Sequence, residues 1–232
     1  MEPLPETVDA VQRLAEYGDT DIAVELFRIG REVQGVVPSI VGISLGLPAD
    51  EFTFTLVASS DEVRQMDVTQ YLDDGPCVEA LHSGDTIETE MSQLLDEDRW
   101  RMFARATSAY GIESTLSLPV IRKGRVIACV NLYASTPDAF AGHHEELATI
   151  CRGWAPGAVA NADLAFRTRL EAAATPQRMR DQDIVDQAIG MLAATLDMEV
   201  TDAAERLRQA AVRAGITESQ AAQTIIRLLS ST

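Results

Sequence analysis

Residues 185–192 read VDQAIGML and lie in the most informative part of this chain, the segment 176–232. The spacing of apolar residues in this segment predicts three short helices with almost no linker between them. Small side chains recur at helical spacing, as in Ala203 and Ala211 on either side of Leu207, so the helices can approach closely. The segment is too small to bury an enzyme-sized core, which favours an output or interaction module attached to a larger domain.

Composition indicates one medium domain followed by a small one. The chain has 232 residues, of which 46% are hydrophobic, so a packed core is expected rather than disorder. No apolar run is long enough to span a bilayer, and no basic region followed by an apolar stretch opens the sequence. We therefore expect a soluble, cytoplasmic protein with no signal peptide and no membrane partner.

The negative charge of the chain is unevenly placed. The net charge is −17, and residues 1–175 carry 13 Lys and Arg against 28 Asp and Glu. Residues 176–232 carry 6 against 8, so this segment is close to neutral. Because an acidic surface repels nucleic acid at long range, any polyanion is expected to bind the C-terminal segment.

The three cysteines, Cys77, Cys129 and Cys151, form no C-x-x-C pair. An odd and sparse count suits a reducing compartment and argues against a disulfide framework or a thiolate zinc site. The sequence also lacks a glycine-rich phosphate loop, H-E-x-x-H and G-x-S-x-G, so we expect no catalytic residues, no metal site and no enzyme activity.

Local patterns before the C-terminal segment predict an α+β fold with a mostly antiparallel sheet packed by helices. Strands are predicted at 39–47, 52–59, 115–121 and 126–134, with a turn at 46–50. Helices are predicted at 4–17, 20–37, 77–82, 96–109 and 142–172. Asp96 or Asp98 would cap the helix at 96–109, and Pro156-Gly157 should kink or break the last helix. We place the domain boundary between residues 172 and 173.

Several segments of the first domain resemble GAF sensor domains. The run GPCVEAL at 75–81, followed by Ser83-Gly84, resembles the family pattern G-P-C-x-x-A-L-x-x-G, and STLSLPV at 114–120 resembles the family's S-x-L-x-x-P-[LV] strand. The resemblance implies a pocket between the sheet and the short helices, where a small ligand of unknown identity could bind. The candidate pocket residues are Cys77, Leu81, Leu118 and Asn131.

Cys77 has two interpretations within this resemblance. At the start of a short helix, the dipole favours a thiolate. A buried, inert thiol that fits a tight turn is the alternative. Asn131 is followed by Leu132 where cyclic-nucleotide-binding members have lysine, so cyclic nucleotide binding is not expected.

The C-terminal segment closely resembles the ANTAR domain, because VDQAIGML matches the family pattern I-x-x-A-K-G-x-L. The motif positions of the three helices are Val185, Ala188, Gly190, Leu192, Ala203, Leu207, Ala211 and Ala222. Thr217 and Gln220 predict a capping box for the third helix, and Thr201 or Asp202 would cap the second. The first domain would then cover 1–172 and the ANTAR-like domain 173–232.

The ANTAR resemblance implies binding of tandem hairpins in leader RNA, by a homodimer, in transcription antitermination. The candidate RNA-binding residues are Arg178, Arg180, Arg206, Arg208, Arg213 and Arg227. Two cations of the family pattern are missing, since Ile189 replaces a lysine and Gln182 replaces an arginine, which should weaken phosphate binding. Ile189 could instead thicken an apolar dimer seam.

We therefore expect a signal-responsive regulator in which the GAF-like domain controls a dimeric RNA-binding module. The alternative is a protein-interaction or dimerisation scaffold that has lost RNA binding, which the missing lysine and the near-neutral charge favour. Helix-turn-helix DNA binding is weaker, because the last helix has Arg227 as its only cation.

Overall fold

A five-stranded antiparallel sheet forms the centre of the N-terminal unit in the computed structural model, which describes residues 20–49, 52–96, 99–159 and 182–230. The strands lie in the spatial order β2-β1-β5-β4-β3. Their bounds are β1 Ile40–Ala49, β2 Phe52–Ala58, β3 Ile87–Glu90, β4 Ser114–Arg122 and β5 Arg125–Ala134. The predicted α+β class and antiparallel sheet are confirmed.

Helices cover both faces of this sheet. The N-terminal unit contains α1 Thr20–Val36, α2 Asp61–Leu72, α3 Pro76–Ser83, α4 Met91–Asp96, α5 Arg101–Ala109 and α6 His144–Val159. Leu26 of α1 and Leu147 of α6 share one apolar core with Leu118 of β4, so these helices lie on one face. Cys77 of α3 clusters with Cys129 of β5, which places α3 on the other face.

Turn chemistry explains how the strands pair. The hairpin between β4 and β5 turns at Lys123 and Gly124, which both have positive φ, as a two-residue turn of type I′ requires. The predicted turn at 46–50 is wrong in part, because β1 continues through Pro48 to Ala49. A register shift at Leu45/Gly46 bends the strand there, and the pairing with β5 ends at Gly46, so Pro48 need not donate to β5.

Two helix predictions need correction. The helix expected at 96–109 begins later, as α5 at Arg101, and Asp96 is the last residue of a separate helix, α4. Trp100, in the left-handed region, precedes α5 without a side-chain cap, while Asp98 lies outside the described residues. The last helix of the unit runs through Pro156 to Val159 rather than breaking there, and the segments 4–17 and 160–172 lie outside the described residues.

Helix α2 is the main element that the sequence pattern did not predict; the short edge strand β3 is another. The buried residues of α2 include Asp67, Thr69 and Gln70 beside Val68 and Leu72, so polar side chains interrupt its apolar stripe. Its local start signal is clear, however, since the Ser60 hydroxyl accepts a hydrogen bond from Val63 N, and Asp61 and Glu62 occupy the first turn.

The C-terminal unit consists of three helices, α7 Gln182–Leu196, α8 Val200–Ala214 and α9 Glu218–Ser230. It packs directly on α2 and β2 of the N-terminal unit, because one apolar cluster contains residues of both units. The N-terminal unit contributes Val68, Tyr71, Leu72, Val78 and Met102 to this cluster. Within the described residues, no helix is long and apolar enough to cross a membrane.

Candidate nucleic-acid interface

Small residues allow the three helices of the C-terminal unit to pack closely. Seven of the motif residues are buried: Val185, Ala188, Leu192, Ala203, Leu207, Ala211 and Ala222. Gly190 differs, because it is exposed and an added Cβ would meet no atom within 4 Å. The expectation that Gly190 permits close helix packing is therefore wrong within this chain.

Ile189, which stands where the family pattern has lysine, is 8% exposed and packs in the same apolar cluster as Leu192 and Ala211. Its side chain thus belongs to the interior of the unit and not to an exposed seam. Gln182 is exposed at the start of α7 and its amide bonds Asp186 at 2.9 Å. Neither position offers a cation to RNA.

The caps of α8 and α9 differ in how well they follow the sequence signals. Gln220 N donates to the Thr217 hydroxyl at 3.1 Å, while Thr217 N donates to the Gln220 side-chain carbonyl at 2.9 Å, which confirms the predicted capping box. The predicted cap of α8 is wrong, because the helix begins one residue before Thr201. Glu199 occupies the N-cap position without a side-chain cap bond.

Four of the six candidate RNA-binding arginines lie in the described residues, whereas Arg178 and Arg180 lie outside them. Arg208 is exposed, and its Nε donates to a carboxylate oxygen of Glu205, one turn earlier in α8, at 2.9 Å. This ion pair lowers the pKa of Glu205 through the hydrogen bond from Arg208. Since side chains two residues apart do not share a helix face, Arg208 lies away from Arg206.

Arg213 extends from α8 into the N-terminal unit. Its Nε donates to the carbonyl oxygen of Thr53 in β2, and its Nη1 donates to the carbonyl oxygen of Tyr71 at 3.3 Å. The guanidinium stacks over the Tyr71 ring at 4.4 Å from the ring centroid. Burial lowers the pKa of Arg213, so this charge is partly removed from water.

Arg227 and Arg206 also face the N-terminal unit. Arg227 of α9 donates to the Gln65 side-chain carbonyl at 2.8 Å and to the Tyr110 hydroxyl, and lies 5.0 Å from the Tyr110 ring centroid. Arg206 lies 3.7 Å from a carboxylate oxygen of Asp74, a loose pair that is largely exposed. Three of the four described candidates are thus brought together at the boundary between the units.

An open cleft of about 340 Å³ lies at this boundary. It is lined by Tyr71, Asp74, Asp202, Glu205, Arg206, Gln209 and Arg213. The two guanidinium groups face three carboxylates, so the cleft has mixed charge and no strong preference for an anion.

The candidate ligand pocket of the N-terminal unit is filled by its own polar side chains. The Asp67 carboxylate accepts hydrogen bonds from Tyr133 at 2.7 Å, Thr55 at 2.7 Å and Ser44 at 3.2 Å. Burial raises the pKa of Asp67, and the three hydroxyl donors oppose that rise. Gln70 extends the network, because its amide donates to the Tyr133 hydroxyl at 3.0 Å.

Three of the four predicted pocket residues lie on the face of the sheet covered by α2 and α3. Asn131 of β5 joins the polar network through a hydrogen bond to the Ser44 hydroxyl at 3.1 Å, while Cys77 and Leu81 pack against Cys129. Leu118 points to the opposite face, in the core under α1 and α6, because side chains alternate along a strand. Its assignment to the pocket is wrong.

The buried thiols favour the inert interpretation of Cys77. Cys77 and Cys129 are both 0% exposed, and Gly46 gives them room, since a Cβ there would lie 3.1 Å from the Cys77 sulfur. Burial raises the pKa of Cys129 well above its ordinary value, and raises that of Cys151 to about 12. The described residues contain no cluster of His, Cys, Asp or Glu that could hold a metal ion.

Sequence reasoning missed the residues that receive the arginines. Gln65 and Tyr71 lie on α2, the helix that was not predicted, and Thr53 offers its backbone carbonyl. Acceptors of this kind leave no sequence pattern, because any residue supplies a carbonyl. The cap at Ser60 was the available signal for α2 itself.

Comparison with known proteins follows the division into two units. Residues 11–151 match the GAF domain family, and residues 173–226 match the ANTAR domain family. No curated protein matches the chain.

The solved structures that match the chain share little sequence with it. A type II free methionine-R-sulfoxide reductase from Thermoplasma acidophilum is 16% identical, with a TM-score of 0.41 over 57% of this chain and 87% of that chain. A domain of a two-component sensor histidine kinase protein from Sinorhizobium meliloti 1021 is 15% identical, with a TM-score of 0.40 over 61% and 92%. SdiA in complex with octanoyl-rac-glycerol is 10% identical, with a TM-score of 0.42 over 98% and 97%.

Proposed function

Because this chain belongs to the GAF domain family and carries a C-terminal ANTAR domain, we propose that it is a signal-responsive, RNA-binding regulator of transcription antitermination. The observation that carries the proposal is the ANTAR match over the three-helix C-terminal unit, since seven of its eight motif residues build the interior of that unit. The role is regulatory rather than enzymatic, and it is exercised in the cytoplasm, where leader RNA is transcribed.

The RNA target is a tandem hairpin, bound by a homodimer that offers one C-terminal unit to each hairpin. Unpaired loop bases can be splayed out and read by side chains, while arginines contact the phosphates. The acidic N-terminal unit supports the division of labour, since it repels RNA at long range and leaves the contact to the C-terminal unit.

The N-terminal unit receives the signal, either as a small ligand or through a partner. The polar network around Asp67 fills the pocket, so a ligand there would have to displace hydrogen-bonded side chains.

The first test is the charge reversal Arg208→Glu in the full chain. Arg208 is exposed and bonds only within α8 among the described residues, so its loss should spare the fold. We expect RNA affinity to fall roughly tenfold at low salt, and the slope of log affinity against log salt to fall by about one. Binding is measured with a tandem-hairpin RNA and a loop-scrambled control over a range of salt.

Arg31→Glu is the matched control, because Arg31 is an exposed arginine on α1, on the other face of the sheet. Equal loss of affinity in both variants would mean that only overall charge matters and would remove Arg208 from the interface. Loop-independent binding would argue against hairpin recognition.

A scaffold that has lost RNA binding is the second candidate function. The observation that favours it is the engagement of Arg206, Arg213 and Arg227 by the N-terminal unit. Full-length protein that forms dimers but binds no tandem-hairpin RNA at any salt concentration would support this alternative.

A further inference from the structure

The face of the N-terminal unit formed by α2 and β2 is occupied by the C-terminal unit itself. The contact has an apolar part, in which Val68, Tyr71 and Leu72 of α2 join the core of the three helices. Leu228 of α9 joins the core around Trp100 on the other side of α2. Burial of this kind gives the contact a favourable free energy beyond that of its polar bonds.

The polar part of the contact uses the cations that the proposed function assigns to RNA. Both carbonyl acceptors of Arg213 belong to the N-terminal unit, as do the Gln65 and Tyr110 groups that bond Arg227. Nothing described within the three helices requires an arginine at position 213, since its hydrogen bonds leave the unit.

The N-terminal unit also contributes an arginine in the reverse direction. Arg64 of α2 donates through Nη1 to the carbonyl oxygen of Ala214 at 2.9 Å. Ala214 is the last residue of α8, where carbonyl groups lack helical partners and carry the negative end of the helix dipole. A cation on one unit thus caps a helix of the other.

These contacts and an RNA contact exclude each other. The Arg213 guanidinium is stacked on Tyr71 and bonded to two carbonyl groups, so it cannot reach a phosphate without leaving them. Asp74 lies beside Arg206 at the same boundary, and its carboxylate repels a phosphate. Space for an RNA strand on this face requires the two units to separate.

We propose that the α2–β2 face of the N-terminal unit is a docking surface for the arginine-bearing face of α8 and α9, and that it competes with RNA for Arg213 and Arg227. The inference rests on the proposed function, because it specifies how the N-terminal unit controls the RNA-binding face. The docked arrangement is the state that does not bind RNA, and a signal acts by favouring separation.

The fraction of the protein in the separated state determines how strongly docking lowers the apparent RNA affinity. If only the separated state binds RNA, the apparent affinity of the full chain is its intrinsic affinity multiplied by the separated fraction. RNA must in turn promote separation to the same extent, because coupling between two binding events is reciprocal. A change on the docking surface should therefore alter RNA affinity although it touches no RNA.

The test is Gln65→Lys in the full chain, which removes an acceptor of Arg227 and places a second cation beside it. Gln65 is partly exposed, so the sheet and core stay intact. We expect affinity for the tandem-hairpin RNA to rise about tenfold, since hydrogen bonds to charged groups contribute that much to an equilibrium. Gln93→Lys is the matched control, because Gln93 is exposed on α4 and receives the same substitution.

A second variant and a second measurement make the result decisive. Arg64→Ala removes the bond to Ala214 and should raise RNA affinity in the same direction without adding a cation. In the wild-type chain, addition of RNA should speed amide hydrogen exchange in α2, because separation exposes that helix.

The outcomes separate this inference from the proposed function. Wild-type protein that binds RNA with the same affinity as both variants, and with unchanged exchange in α2, would overturn the competition and leave the RNA-binding function in place. Absence of loop-dependent binding in the wild type and in both variants would overturn both. An equal rise with Gln93→Lys, without a rise for Arg64→Ala, would assign the effect to added charge and overturn the competition.

Discussion

Asp67 is a fully buried carboxyl group with no arginine or lysine among its hydrogen-bond donors. Hydroxyl groups of Ser44, Thr55 and Tyr133 and the amide of Gln70 supply those bonds, and Thr55 also bonds the Tyr71 hydroxyl at 2.6 Å. Tyr71 in turn holds Arg213 through its ring and carbonyl group. Tyr71 thus links the filled pocket to the boundary between the units.

The pH dependence of stability should carry a contribution from Asp67. Burial raises its pKa in the native state, so the native state binds this proton more tightly than the unfolded chain does. The stabilising contribution is complete below the unfolded pKa of about 3.9 and is lost as the pH rises through the raised native pKa.

We expect the free energy of unfolding of the wild type, relative to Asp67→Asn, to decrease as the pH rises from 4 to 8. Urea unfolding at intervals of one pH unit measures this difference, and comparison of the two proteins cancels the titration of groups that they share. A difference that stays constant across that range would show that Asp67 titrates equally in both states.

At the scale of single elements, the third helix of the C-terminal unit illustrates a local signal that decides a local structure. The reciprocal bonds between Thr217 and Gln220 satisfy backbone donors that the first turn of α9 would otherwise leave without partners. Helix α8 begins without such a bond, and Thr201 lies exposed in its first turn.

We expect Thr217→Ala to lower the free energy of unfolding by about 1 kcal/mol, because it removes the capping hydroxyl. Thr201→Ala makes the same chemical change on an exposed helix start without a cap bond, and should stay within about 0.5 kcal/mol of the wild type. Urea unfolding followed by circular dichroism compares them. Equal losses would mean that the capping bonds contribute nothing beyond the propensity of the residue.

At the scale of the whole molecule, the contact between the units makes each one depend on the other. Arg213 is a partly buried polar contact between the units, since its guanidinium bonds carbonyl groups of β2 and α2. Removal of Arg213 leaves the carbonyl groups of Thr53 and Tyr71 without this donor. Arg208, on the same helix, makes its hydrogen bonds to Glu205 at the surface.

We expect Arg213→Ala to lower the free energy of unfolding by about 1–3 kcal/mol, because it removes charged hydrogen bonds and leaves partly buried acceptors. Arg208→Ala, which breaks an exposed ion pair, should cost no more than about 1 kcal/mol. Calorimetry of the full chain measures both, and a separate transition for the released helices is expected for Arg213→Ala. Identical calorimetric profiles for the two variants would contradict the coupling.

Much of the architecture was predictable wherever one physical signal acts alone. Alternating apolar residues predicted β2, and the run from Pro76 to Gly84 carries its own start and stop signals. The spacing of apolar residues in the C-terminal unit likewise predicted three helices. Such patterns depend only on neighbouring residues in the chain, so they can be recognised without knowledge of the rest of the fold.

Prediction failed where the position of a residue depends on packing against distant parts of the chain. Helix α2 packs on the sheet with one side and on the C-terminal unit with the other, so buried Asp67 and Gln70 interrupt its apolar stripe. Leu118 was assigned to the pocket because its neighbours match a family pattern, but strand alternation sends it to the opposite face. The extension of β1 past Gly46 depends on its pairing with β2, a contact that the local sequence does not reveal.

The amino-acid sequence by itself determined the two-unit organisation, the α+β class, the motif interior of the C-terminal unit and its capping box, because these follow from local spacing and chemistry. Only the tertiary structure decided that three of the four described candidate arginines face the N-terminal unit, and that α2 receives two of them. The physical reason is that the N–H groups of an arginine can donate either to a phosphate or to a carbonyl group. Which of the two it meets depends on surfaces brought together from distant parts of the chain.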